Sequence, residues 1–206
     1  MDTKTNILFD LGVVLLNIDY APALRKAMKY CDGKHAGSPE RFFDLIRRDS
    51  SVNRYERGDL SAREFYDHFV RITGFSGDFE TFAAIWRDIF SENERMTGFG
   101  REISKDYRVY LASNASDLHV PYVFEAFPSL DYFSDAAFSF RLRASKPERA
   151  FYERAMKQFG VEPETCLFID DRPENIKGAE QCGIRSILYT TPDETISTAR
   201  ALLHRE

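Results

Sequence analysis

Four short apolar runs limit what this chain can become: Ile7-Leu8-Phe9, Val109-Tyr110-Leu111-Ala112, Cys166-Leu167-Phe168-Ile169 and Ser186-Ile187-Leu188-Tyr189. None alternates with polar residues. A strand with one wet face alternates, whereas a strand covered on both faces reads as a continuous apolar stretch, as in a parallel sheet packed between helices. Helical periodicity fills the spaces between the runs. Phe151, Ala155 and Phe159 recur at i, i+4 and i+8, with Gly160 following as a stop. A further helix is predicted from Pro173 to a point before Gly183. Strand–helix alternation over the second half of the chain implies right-handed βαβ units and an open α/β fold with a doubly wound parallel sheet.

Residues 17–94 read differently. Tyr20, Leu24, Ala27 and Cys31 share one helix face, and Phe65, Phe69 and Ile72 line another helix that Gly74 ends. Phe79, Phe82, Ile85 and Ile89 mark one more. Ser61-Ala62-Arg63-Glu64 has the spacing of a capping box, with Leu60 and Phe65 at hydrophobic-staple positions. No convincing strand pattern occurs there. The expected organisation is an α/β core from residues 1–16 and 95–206, with an all-helical insertion of about four helices, residues 17–94, after the first strand.

Composition narrows the function classes. The 206 residues carry 28 basic and 33 acidic side chains, a net charge of −5, which argues against nucleic acid as a partner. No apolar run approaches the ~18 residues of a membrane span. Met1-Asp2-Thr3-Lys4 opens no long apolar stretch of a secretory signal. Cys31, Cys166 and Cys182 are odd in number and far apart, the pattern of buried thiols in a cytoplasmic protein rather than of a disulfide frame or zinc site. His35, His68, His119 and His204 show no ligand spacing and are assigned no role. Trp86 and the phenylalanines of the insertion read as its core.

The polar residues that end the apolar runs carry the chemistry. Asp10, Ser113 and Asp170 each follow a run directly. Parallel strands end on one edge of the sheet, where α/β folds bind ligands. A carboxylate, a hydroxyl with an amide (Ser113-Asn114) and a double carboxylate (Asp170-Asp171) thus reach one place. Carboxylates this close repel unless a positive charge sits among them. A hard divalent cation meets that need, and Mg²⁺ typically takes one or two carboxylates plus a substrate phosphate. Lys146 precedes Pro147, a residue suited to a first helical position, so the lysine is expected at or beside an N-cap. A cation there opposes the helix dipole, a misfit that vanishes if ammonium and helix amides together hold a phosphate.

On four motifs the chain resembles the haloacid dehalogenase superfamily. They are Phe9-Asp10-Leu11-Gly12-Val13-Val14-Leu15, Leu111-Ala112-Ser113-Asn114, Lys146-Pro147 with the helix behind it, and Phe168-Ile169-Asp170-Asp171-Arg172-Pro173-Glu174-Asn175-Ile176, in the family's order. The insertion resembles the family's helical C1 cap, and Tyr55-Glu56-Arg57-Gly58-Asp59-Leu60-Ser61 is similar to cap segments there. The resemblance implies a Rossmann-like core and a Mg²⁺-dependent phosphomonoesterase that acts on a small phosphorylated metabolite through an aspartyl-phosphate. Asp10 would be the nucleophile, and Ser113, Asn114 and Lys146 would hold the phosphoryl oxygens. Mg²⁺ would sit on Asp10, the carbonyl of Gly12, Asp170 and Asp171, with Asn175 beside them on the substrate side or behind the ligands.

One departure matters. The family's general acid stands two residues after the nucleophile, and here that position is Gly12. Losing a general acid costs ~10²–10⁴ in rate. A leaving group of low pKa eases the loss, and a first motif of this kind resembles that of sugar-1-phosphate phosphatases, so a sugar phosphate is favoured. Asp19 is the candidate substitute acid. Arg143 stands where the family often has glycine, which implies an altered loop or an added cation near the substrate. Two rival readings remain: a 2-haloacid dehalogenase, and a catalytically weak member that binds a phosphorylated ligand.

Overall fold

The computed structural model describes residues 5–31 and 37–203; the opening tetrapeptide, His35 and His204 lie outside them. Its strands are β1 (Asn6–Phe9), β2 (Leu16–Ile18), β3 (Phe90–Glu92), β4 (Arg108–Ser113), β5 (Asp135–Phe138), β6 (Cys166–Asp170) and β7 (Arg185–Leu188). Five form one parallel sheet in the order β5-β4-β1-β6-β7. All four apolar runs are strands of it. The packing shows why they read as continuous. Ile7, Phe9, Val109, Leu111, Leu167 and Ile169 enter the core on one face, while Leu8, Tyr110, Ala112, Cys166 and Phe168 enter the core on the other. Both sides of each pleat are therefore apolar.

Between β2 and β3 lie α1 (Tyr20–Met28), α2 (Pro39–Arg48), α3 (Ser51–Glu56), α4 (Ala62–Thr73) and α5 (Phe79–Arg87). They share a separate aromatic core in which Phe65, Phe69, Phe82 and Trp86 pack edge-on and stacked. The capping box at Ser61 and Glu64 is formed, and Gly74 closes α4 at φ 67, a left-handed conformation open to glycine. Cys31 and Ile89 fall just outside the helices whose faces they were expected to share. The insertion is not all-helical: β2 and β3 form a two-stranded antiparallel stem where the chain leaves and re-enters the sheet domain. Three residues per strand are too few for periodicity to register.

The sheet is covered by α6 (Glu94–Ile103), α7 (His119–Ala126), α8 (Ser139–Leu142), α9 (Arg149–Phe159), α10 (Pro173–Glu180) and α11 (Pro192–Leu203). From these, α6 and α11 pack on one face and α9 and α10 on the other. This is a Rossmann-like α/β fold. None of the three cysteines forms a disulfide, and only Cys166 is fully buried, so the expectation of three buried cysteines holds for one. No described helix is long and apolar enough to cross a membrane.

Candidate active site

β4 and β6 flank β1, with Phe9 level with both Leu111 and Ile169. The residues that follow these positions meet at one edge of the sheet, and the amide of Asp10 donates to the Ile169 carbonyl at 2.9 Å. Lys146 Nζ lies 2.9 Å from Asp10 Oδ1 and 2.6 Å from Asp170 Oδ2, with the lysine side chain 1% exposed. Carboxylate oxygens of Asp10, Asp170 and Asp171 fall within 4.8 Å of one another. Three negative charges and one positive charge leave two negative charges uncompensated. The donor set is all oxygen. These residues fit Mg²⁺ in both charge and hardness.

Each member is held by its surroundings. Asp170 accepts from Asn175 Nδ2 at 2.9 and 3.1 Å and from the Arg172 amide at 2.9 Å. The Tyr152 hydroxyl donates to the Asn175 carbonyl at 2.7 Å, so Asn175 is itself held in place behind Asp170. Asp10 Oδ1 accepts from the Leu11 amide at 2.7 Å and faces Lys146, which leaves Oδ2 as the oxygen without a hydrogen bond among the described residues. The chain then turns sharply, the Leu15 and Leu16 amides both donating to the Leu11 carbonyl. Val13 takes φ 66 in that turn, a strained conformation for a β-branched residue.

Lys146 reaches this place by a different route from the expected one. The N-cap of α9 is Glu148, so neither Lys146 nor Pro147 begins the helix. Asn114 sets the lysine instead: its Nδ2 donates to the Lys146 carbonyl at 3.0 Å and its Oδ1 accepts from the Lys146 amide at 2.8 Å. That side chain is occupied in placing the lysine. Ser113 is buried at the end of β4, its hydroxyl donating to the Asn114 carbonyl at 3.3 Å. Burial pushes Asp10 up to about 6, with Lys146 pulling back and Asp170 adding to the rise. Burial would lower the lysine, but Asp10 and Asp170 outweigh it and hold it raised. Asp171 is raised by burial and by Asp170.

The model of the family described as haloacid dehalogenase-like hydrolase matches residues 101–183. The D-ribitol-5-phosphate phosphatase of Bacteroides thetaiotaomicron is 26% identical over 88% of this chain and 89% of its own length. A sesquiterpene phosphatase of Aspergillus oryzae is 27% identical over 73% and 78%. A solved HAD family enzyme of Bacteroides thetaiotaomicron, in complex with magnesium and inorganic phosphate, superposes with a TM-score of 0.79 at 25% identity, covering 91% of this chain and 94% of that one. Over residues 101–183 the chain is similar to the haloacid dehalogenase-like hydrolases, and its likeness to the solved enzyme spans nearly its whole length.

Two expected site residues lie elsewhere. Asp19 is the exposed N-cap of α1, its carboxylate accepting from the Ala21 amide at 2.9 Å, so a helix end already holds it. Arg143 is exposed and borders a cleft with Asp59 and Asp117, away from the carboxylate cluster. At φ 52 it caps α8 in the left-handed conformation a glycine would take, so the loop keeps its shape at the cost of strain. A Cβ on Gly12 would come 2.7 Å from Ile18 Cδ1, so the position is fitted to glycine by a movable neighbour.

Sequence reasoning missed Glu56. Burial pushes its carboxyl up to about 7, with Arg172 pulling back and Asp10 adding to the rise. Its segment is pinned to the sheet domain at every residue. Tyr55 donates to Asp117, Ser139 Oγ donates to the Glu56 carbonyl, and Arg57 pairs with Glu148 at 3.0 and 3.1 Å. A Cβ on Gly58 would collide with the Phe140 carbonyl, so only glycine allows that approach. The signal was present in Tyr55-Glu56-Arg57-Gly58-Asp59, but its charge partners, Asp10 and Arg172, are remote in sequence.

Proposed function

We propose that the protein is a Mg²⁺-dependent phosphomonoesterase of a small phosphorylated metabolite, working through an aspartyl-phosphate, with residues 17–94 as its cap. One observation carries this reading: three carboxylates at the ends of two neighbouring strands, β1 and β6, converge on a buried ammonium. The relatives named as phosphatases and the solved magnesium–phosphate complex support it.

Asp10, Asp170, Asp171 and the Gly12 carbonyl would hold Mg²⁺, which when bound supplies positive charge to the phosphoryl oxygens and the nucleophile. Asp10 Oδ2 attacks phosphorus while Lys146 and the Ser113 hydroxyl hold the phosphoryl oxygens. The bond from phosphorus to the leaving oxygen breaks, and that oxygen takes the proton of Glu56. Water then attacks phosphorus and gives its proton to the Glu56 carboxylate, freeing phosphate and Asp10. Glu56 thereby fills the role that Gly12 cannot, and its raised pKa suits a group that must carry a proton near neutrality.

The leaving-group argument favoured a sugar phosphate; the ribitol-5-phosphate phosphatase supports that substrate class but not the low-pKa leaving group, since ribitol 5-phosphate is the ester of a primary alcohol. The sesquiterpene phosphatase points to a less polar alcohol. The test of the reaction class is hydrolysis of p-nitrophenyl phosphate, expected with Mg²⁺, absent with EDTA and abolished by Asp10→Asn. Equal rates with and without Mg²⁺ would refute it. Glu56→Gln is expected to slow alkyl phosphates by ~10²–10⁴ and p-nitrophenyl phosphate far less, because nitrophenolate leaves without a proton. Equal loss on both removes Glu56 from this role.

A further inference from the structure

A cavity of about 340 Å³ lies within the helical insertion, against the catalytic edge. Close-packed interiors hold few voids larger than a water molecule, and this volume falls in the range of ligand pockets. Its walls are aliphatic and aromatic, with Leu24, Ile46, Phe69 and Trp86 among them. The charged residues that line it are Glu56, at the end of α3, and Arg172, which follows Asp170 and Asp171 at the sheet edge. The Arg172 amide donates to Asp170, and Glu56 feels the charges of Arg172 and Asp10. The cavity is therefore polar where it meets the reacting groups and apolar beyond them.

Of the remaining polar groups that line it, Tyr20 and Asn53 are exposed, and the buried Trp86 Nε1 is one donor left without a partner among the described residues, too few for the several hydroxyls of a polyol. His119 pairs its Nε2 with the Trp86 carbonyl at 3.1 Å and stacks on the Trp86 ring. Burial holds His119 down at about 4 and Glu56 up at about 7, each toward its uncharged form, as expected of a low-dielectric space. A buried polyol would leave hydroxyls unpaired, which is penalised, whereas a hydrocarbon gains with every methylene it buries.

We infer that this cavity receives the leaving group, and that the substrate is a phosphomonoester of a straight or branched hydrocarbon alcohol rather than of a polyol. This rests on the phosphomonoesterase reading above. The phosphate lies at Asp10, Ser113 and Lys146, and the chain passes Glu56 into the insertion.

The experiment compares n-alkyl phosphates from ethyl to decyl with ribitol 5-phosphate and p-nitrophenyl phosphate, all with Mg²⁺. The expected kcat/KM rises roughly three- to fourfold per added methylene until the cavity is full, and decyl phosphate exceeds ribitol 5-phosphate. Ala27→Phe, which places a ring into the wall, is expected to lower the decyl-to-ethyl ratio by about tenfold or more. A second readout needs no turnover. Trp86 is the sole tryptophan, so saturable displacement of its emission by decylphosphonate, and not by ribitol 5-phosphate, reports filling of the cavity. If no ester is hydrolysed but decylphosphonate still moves the emission, the phosphatase reading fails and the cavity assignment stands. If p-nitrophenyl phosphate is hydrolysed while kcat/KM is flat with chain length, or ribitol 5-phosphate is the better substrate, the inference is overturned. An emission unmoved by decylphosphonate overturns it as well.

Discussion

Replacing Lys146 with methionine tests the electrostatic construction of the site directly. The side chain is 1% exposed and bridges Asp10 and Asp170 at 2.9 and 2.6 Å. Methionine keeps most of the volume and removes the charge, leaving three clustered carboxylates with no ammonium among them. Deleting one partner of a buried ion pair costs about 3–5 kcal/mol, because the remaining charge stays buried and unpaired. For a chain of this length about 2–4 °C of Tm accompanies each kcal/mol, so Tm is expected to fall by roughly 6–20 °C in EDTA near neutral pH. The loss must depend on pH. The folded state raises the lysine pKa, so its contribution is present at all pH values below its unfolded value and is lost only above it. Without it the carboxyls, already raised by burial, protonate more readily, which relieves the repulsion. The deficit is therefore expected to shrink between about pH 8 and about pH 5. Mg²⁺ should restore more stability to the variant than to the parent protein. Thermal denaturation followed by circular dichroism reads all three effects. A variant that melts within about 1 °C of the parent in EDTA would show that the ammonium does not neutralise this cluster.

Four further outcomes follow from particular contacts. In EDTA the native protein should lose stability as pH rises through about 4 to about 7, because Asp10 and Glu56 both have folded pKa values above their unfolded ones; the double variant Asp10→Asn, Glu56→Gln should flatten that profile. Gly12→Asp should rescue alkyl-phosphate turnover in Glu56→Gln, and Ile18→Val, which removes the Cδ1 that lies 2.7 Å from the new Cβ, should raise the Tm of the Gly12→Asp variant but not of the parent. Arg143→Gly should stabilise the protein by about 1 kcal/mol by relieving its left-handed strain, with activity on p-nitrophenyl phosphate unchanged. Gly58→Ala should lower both Tm and alkyl-phosphate turnover, since its Cβ meets the Phe140 carbonyl and displaces the segment that carries Glu56; unchanged turnover would detach Glu56 placement from this contact.

The strands that could be read from the chain were those buried on both faces, because two cores on opposite sides of the sheet demand apolar residues at every position. β5 escaped notice because it is a short edge strand that opens on exposed Asp135, and β2 and β3 escaped because three residues hold no period. In the site, Asp10, Ser113, Asp170 and Asp171 were legible as the polar ends of buried strands. Lys146 was found through an expected helix start that lies two residues further on, at Glu148, and the contact that places it, from Asn114, spans 32 residues of chain. Glu56 was illegible for the opposite reason. Nothing in its immediate sequence distinguishes it from any other helix-end carboxylate; its character comes from Asp10 and Arg172, which only the folded chain brings near.

The aromatic core of the insertion is separate from the two cores that sandwich the sheet, and the stem of β2 and β3 is narrow. The apolar residues of the insertion that line the hydrocarbon-sized chamber can therefore be exchanged without disturbing a single rung of the five-stranded ladder or the position of Asp10 at its edge. Descent with modification can retool what such a hydrolase accepts while the reacting machinery is inherited intact, and an engineer can do the same by rewriting only the walls.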